Sequence, residues 1–107
     1  MEAYRERIVQ RIIRNLLDIQ LLRLIHKEPT WGYLIAKQAE AKLGIKLRHG
    51  ALYPLLKGME REGFIVSKRQ RYRGRTRKIY SITREGEKYI GTYNDVLREQ
   101  LTQQDLK

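Results

Sequence analysis

The stretch Lys68-Arg69-Gln70-Arg71-Tyr72-Arg73-Gly74-Arg75-Thr76-Arg77-Lys78 decides how this chain is read, because it holds seven basic residues and no acidic one. Across all 107 residues there are 23 Lys and Arg against 12 Asp and Glu, a formal charge of +11, so this single window carries most of the excess. Strand-like runs flank it, Phe64-Ile65-Val66-Ser67 before and Ile79-Tyr80-Ser81-Ile82 after, with Gly74 near its centre. Apolar strands on either side of a polar tip containing glycine predict a two-stranded hairpin. A charge run is by default a solvated loop. Here the strands fix it to a core, and repulsion among so many like charges is tolerable chiefly where a polyanion neutralises them.

Composition sets the outer limits. A chain of this length makes one small domain and is too short for a doubly wound nucleotide-binding fold, while 41% hydrophobic residues suffice for a core. Cysteine is absent, which removes disulfides, zinc-thiolate sites, Fe–S clusters and thiol nucleophiles. The opening MEAYRERIVQRIIRN is interrupted by charge every two or three residues and reads neither as a signal peptide nor as a membrane span. The expected location is cytoplasmic, associated with the nucleoid when bound to DNA. No membrane partner is expected.

Outward from the basic window, helical periodicity takes over. Leu52, Leu55, Leu56 and Met59 fall at i, i+3, i+4 and i+7, and Gly63 follows as a terminator. The opposite face of that helix displays Gly50, Tyr53, Lys57 and Arg61, and its leading end presents Arg48 and His49. Pro54 supports a helix start close by. Upstream, an apolar pattern from Ile8 to Ile25 predicts one long helix, with Arg7, Arg11 and Arg14 on a polar face early and Asn15 or Asp18 placed to cap any break. Thr30 is the expected N-cap of a second helix over Trp31 to Leu43, with Gly44 as its stop. A last helix is expected from Thr83, its N-cap, through Leu101 or beyond.

The resulting order is helix, helix, helix, basic hairpin, helix. This is a mainly α fold with a small β-hairpin, a winged helix-turn-helix in which the third helix enters the major groove and the two-stranded wing contacts flanking backbone. Residues 1–82 are expected to form the DNA-binding unit and residues 83–107 a C-terminal dimerisation helix continuous with it.

Five segments in this order resemble the PadR-like transcriptional regulators: Trp31-Gly32-Tyr33, Gly50-Ala51-Leu52-Tyr53-Pro54, Met59 through Ile65, Gly74 through Tyr80, and Ile82-Thr83-Arg84-Glu85-Gly86. The resemblance runs from about Leu17 to the end of the last helix. It implies a homodimeric repressor whose C-terminal helix completes the dimer, and the single short helix here is similar to the smaller subgroup. The chain departs from the family pattern in having Trp31 where a His is usual and Leu34 where an acid is usual. It also has Arg48-His49-Gly50-Ala51 in place of a Ser-Pro-Gly-Thr opening, Thr76 for a Pro, and Ile79 for an aromatic. Loss of the hydroxyl cap makes Arg48 a substitute donor to phosphate or guanine.

The expected DNA-binding residues are therefore Arg48, His49, Tyr53 and Lys57 on the recognition helix, with Lys68, Arg69, Arg71, Arg73, Arg75, Arg77 and Lys78 on the wing. Ile90, Tyr93, Leu97 and Leu101 form the expected dimer seam, a stripe on a terminal helix for which nothing else in the chain offers cover. Trp31 and Tyr33 are read as core aromatics, with an effector pocket as the alternative. The expected partners are double-stranded DNA and a second copy of the chain, with room left for a small-molecule effector of unidentified chemistry. His26 and His49 lack ligand-spaced companions, so no metal, cofactor or catalytic residue is expected. Two other readings of the same charge stay open: an architectural protein that coats or bends DNA, and a module that docks acidic partners or membrane lipid.

Overall fold

The computed structural model describes residues 2–102, so the last five residues of the expected 83–107 unit lie outside the described residues. Five helices and three strands follow one another: α1 (Glu2–Asn15), α2 (Leu17–Lys27), β1 (Thr30–Trp31), α3 (Gly32–Leu43), α4 (His49–Arg61), β2 (Ile65–Tyr72), β3 (Arg75–Ile82) and α5 (Arg84–Thr102). The strands form one antiparallel sheet in the order β1-β3-β2.

The expected first helix is two helices. Its apolar pattern is continuous, but the chain bends at Leu16 (φ −109°, ψ 27°) while hydrogen bonds run on through the joint from Leu16 N to Ile12 O and from Gln20 N to Leu16 O. Asp18 accepts from Ile19 N at 2.8 Å in the first turn of α2, where a carboxylate also meets the positive end of the helix dipole. The two halves have different surroundings. α2 buries Ile19, Leu21, Leu22, Leu24 and Ile25 in the core, whereas α1 buries nothing and leaves Tyr4, Ile8, Val9 and Ile12 exposed.

Thr30 is not a helix cap. It lies in β1 opposite Tyr80, 1% exposed, with Trp31 opposite Ile79, and α3 starts at Gly32 without a side-chain cap. Gly44 ends α3 as expected. At φ +68° it sits where only glycine is unstrained, its N–H reaching Glu40 O and the N–H of buried Ile45 reaching Ala39 O, a Schellman pair.

α4 begins at His49, five residues ahead of Pro54, so the proline stands in the second turn and not the first. Its missing N–H leaves without a helical donor the carbonyl of Gly50, which is exposed to water. Leu52, Leu56 and Met59 join α2, Ile35 and Ala39 of α3, Ile65, Tyr80 and Ile90 in one core. Thr83 caps α5 as read from sequence, accepting from Gly86 N at 3.0 Å. The radius of gyration, 15.7 Å, exceeds the roughly 13 Å expected for a rounded domain of this length, because α1 and the far part of α5 reach beyond the body.

Candidate nucleic-acid interface

The wing is built by register. β2 and β3 pair from Ile65 opposite Ile82 to Tyr72 opposite Arg75, leaving a two-residue turn of Arg73 (φ 52°) and Gly74 (φ 78°). Positive φ at both positions matches the strand twist, as in type I′ turns. Gly74 adopts it freely, whereas a side-chain-bearing residue such as Arg73 pays roughly 1–2 kcal/mol.

Because side chains alternate along a strand, the same register divides the wing cations between two faces. Arg69, Arg71 and Lys78 share the face that carries Ile65, Ser67 and Tyr80 toward α4; Lys68, Arg75 and Arg77 share the other with Ile79 and Trp31. On the α4 side, Glu60 ties the recognition helix to the wing. Its Oε2 accepts from Ser67 Oγ at 2.5 Å, and its Oε1 lies 4.0 Å from Lys78 Nζ. Lys78 also sits over the Tyr80 ring at 5.6 Å. Burial, with the charges of Glu60 and Tyr53 adding to it, raises the Tyr80 phenol above its ordinary pKa and keeps it neutral. On the other face, the Arg77 guanidinium stands 4.8 Å from the centre of the Trp31 ring.

His49, Tyr53 and Lys57 are exposed on α4, as is Arg48 just ahead of it. They are not equally free. The His49 and Tyr53 rings stack at 5.5 Å, 13° from parallel. The Tyr53 hydroxyl also packs so closely on Gly32 that a Cβ there would lie 2.5 Å from it. Tyr53 therefore holds the start of α3 as well as facing outward, and Gly32 is needed for that approach. Arg48 occupies the N-cap position in extended conformation with no side-chain cap, as expected from the missing hydroxyl.

Trp31 and Tyr33, expected in the core, do not belong to it: Tyr33 is exposed under Lys37 (5.8 Å), and Trp31 is half-buried beside Arg77. A groove not expected from the sequence lies beside the leading end of α4, lined by Tyr33, Lys37, Glu40, Lys46 and Leu47 together with Arg48 and His49. Tyr33 and Lys37 stand one helical turn apart, off the buried stripe of Ile35 and Ala39, a spacing that could have revealed this basic shoulder.

The expected seam is divided. Ile90 is 7% exposed and belongs to the protomer's own core, so it is not available to a partner. Tyr93 packs at the core margin in edge contact with Tyr89 (5.7 Å), itself stacked on Phe64 (4.2 Å). Burial raises both phenol pKa values, with Asp18 adding to each. Beyond them an apolar cleft is lined by Tyr89, Thr92, Tyr93, Val96 and Leu97, and Leu101 is 80% exposed. His26 lies 3.4 Å from Glu87, and among the described residues no three His, Asp or Glu side chains gather as a metal site. No described helix is long and apolar enough to cross a membrane.

A helix-turn-helix of α3 and α4 followed by a basic β2–β3 wing defines a winged-helix DNA-binding protein. The model of the transcriptional regulator PadR-like family matches residues 21–92. The chain belongs to this family of DNA-binding transcriptional regulators. Solved structures agree with it in fold. A PadR family regulator from Eggerthella lenta is 26% identical with a TM-score of 0.75, covering 94% of this chain and 91% of that one. One from Clostridium difficile is 29% identical with a TM-score of 0.73, covering 86% and 99%. A transcriptional regulator from Clostridium thermocellum is 26% identical with a TM-score of 0.71, covering 84% and 92%. No curated protein sequence matches the chain.

Proposed function

We propose that the chain is a cytoplasmic, homodimeric, sequence-specific repressor that binds double-stranded DNA through two copies of α4 and the wing, without catalysis. The observation that carries this reading is the pairing of two features. An exposed recognition-helix end (Arg48, His49, Tyr53, Lys57) stands beside a strand-paired cationic wing, and exposed apolar residues lie on α1 and distal α5. Residues 1–82 carry the DNA-binding surface and residues 83–107 the larger part of the partner contact, which α1 joins. Arg69, Arg71, Arg73 and Arg75 at the outer wing, with Lys68, release counterions from the duplex, a contribution that is independent of sequence. Arg48 and His49 enter the major groove, where an Arg–guanine pair is worth about 1–3 kcal/mol of discrimination. Tyr93, Val96, Leu97 and Leu101, with Ile8 and Ile12 of α1, close the two-fold interface. Occupying promoter DNA excludes polymerase, and the cleft along α5 is where an effector of apolar character would act.

Selection of bound fragments from a random duplex pool tests this. Recovery of a pseudo-palindrome with half-sites one helical turn apart, roughly 34 Å, is the expected outcome. A preference below about tenfold over random duplex, against the usual ratio of roughly 10³ or more, would replace the repressor by the architectural reading.

A further inference from the structure

The sheet register brings together two residues that are 46 positions apart. Trp31 pairs with Ile79, and Arg77 is the next residue of β3 on the same face, so Trp31 and Arg77 are diagonal neighbours across the β1–β3 ladder. The guanidinium lies 4.8 Å from the indole centre. Its Nε is buried and makes no hydrogen bond among the described residues, while the residue as a whole stays partly exposed. Among the described residues no carboxylate lies within ion-pair distance of it, unlike neighbouring Lys78, which has Glu60. The inner edge of Arg77 is thus laid on an aromatic face, and its terminal Nη groups are the donors that remain for a ligand.

The location is as telling as the geometry. Gly32, next to Trp31, is the residue on which Tyr53 packs, and Tyr53 stacks on His49. Trp31 is thus next in the chain to the residue that receives Tyr53 of the recognition helix, so the β1 end of the ladder is tied to α4 while the Trp31 ring and Arg77 lie on the sheet's other face.

We propose that Trp31 is a positioning residue for DNA binding: its ring holds the Arg77 guanidinium in the orientation in which it meets a DNA phosphate. This rests on the DNA-binding reading and adds a division of labour within the wing. A free arginine loses rotamer freedom when a phosphate fixes it. An arginine already lying on a ring has lost most of that freedom before DNA arrives, and planar stacking is something a lysine reproduces poorly. Arg75 at the tip, by contrast, is exposed and lies on no aromatic ring among the described residues.

The test uses the full chain and a short fluorescein-labelled duplex of mixed sequence, titrated by anisotropy over a series of salt concentrations. Arg77→Ala should weaken binding and reduce the log–log salt slope by about 0.9 for each protomer's lost phosphate contact. Trp31→Leu, which keeps apolar bulk without the ring face, should weaken binding about three- to tenfold, because the arginine then surrenders its rotamer freedom on binding and not before. Adding it to Arg77→Ala should cost nothing more, and Trp31→Tyr should restore most of the affinity. In the free protein, the Arg77 Nε–H resonance should carry a ring-current shift that Trp31→Leu removes and Trp31→Tyr retains. Additive losses in the double variant, or Trp31→Leu binding as tightly as wild type, would overturn the proposal. Arg77→Lys tests it without touching Trp31: it should weaken binding at least about threefold, and binding as tight as wild type would equally overturn it. A wild-type chain that bound no duplex would instead overturn the DNA-binding reading, and this proposal with it.

Discussion

Replacing Thr83 by valine keeps the shape of the side chain and removes its hydroxyl, which makes two bonds at the corner between recognition helix and last helix. Thr83 Oγ1 donates to Gly63 O at 2.6 Å and accepts from Gly86 N at 3.0 Å, while Thr83 N donates to Phe64 O. One residue thus joins the turn after α4 to the start of α5. Losing the N-cap costs about 1 kcal/mol, within a range of roughly 0.5–2. Losing the bond to Gly63 costs about another 1 kcal/mol. At about 4–8 °C per kcal/mol for a domain near this size, the expected fall in Tm is roughly 8–16 °C. Thr83→Ser retains both bonds and should stay within about 0.5 kcal/mol of wild type. Thr83→Asp keeps the acceptor for Gly86 but cannot donate to Gly63, and should lose about half as much as valine. Urea and thermal unfolding at one fixed protein concentration measure all three, since any self-association would make apparent stability concentration-dependent. A valine variant within about 0.5 kcal/mol of wild type, or a serine variant as damaged as valine, would refute the hydrogen-bond account.

Gly86→Ala places a Cβ against the Phe64 carbonyl and the Ile82 side chain, so it should destabilise by about 1–3 kcal/mol despite the better helix propensity of alanine. Gly91→Ala, in open space on the same helix, should stabilise by about 0.5–1 kcal/mol in the same unfolding assay. Tyr80 has a raised pKa in the folded chain, chiefly from burial and then from Glu60. The folded state therefore holds its proton where the unfolded chain releases it, and stability present below about pH 10 falls as pH rises through the folded value. Tyr80→Phe should lessen that alkaline loss in pH-dependent melts. Glu60→Gln removes the only carboxylate linking α4 to the wing among the described residues, and should tighten binding to random duplex while narrowing the margin for the selected site, as read by competition at fixed salt.

What the sequence made legible was local. The stripe Leu52, Leu55, Leu56 and Met59, the Gly44 stop, the Thr83 cap and the glycine-bearing wing turn each depend on residues within a few positions of one another, and each stands where expected. β1 is two residues long and exists only because Tyr80 and Ile79, about fifty positions on, offer a free strand edge. No local pattern announces it, so Thr30 read as a cap and Trp31 as core. The same non-local pairing hid the partition of the wing cations, since eleven residues of sequence cannot say which face of the hairpin looks at α4. Charge alone would rank Lys78 and Arg77 together. Register separates them, one facing Glu60 and the other lying on an indole.

Periodicity also tells which side of a helix is apolar without telling what covers it, and α5 shows the consequence. Ile90, Tyr93, Leu97 and Leu101 look equivalent in sequence, at intervals of three or four. α5 has 19 residues and extends about 28 Å, which carries it past the domain it packs on. Coverage fails along its length, from 7% exposure at Ile90 to 80% at Leu101, with Val96 at 47% between them. α1 repeats the pattern at the other terminus, its Ile8 56% exposed on a helix that buries nothing. An apolar residue left in water forgoes roughly 1.5–3 kcal/mol of burial. Exposed apolar residues on both α1 and α5 are what the proposed second copy of the chain would cover, in a contact that pairs like with like. If that arrangement holds, Leu97→Asp should sediment as a monomer with unchanged secondary structure, and a variant that stayed dimeric would move the contact off α5.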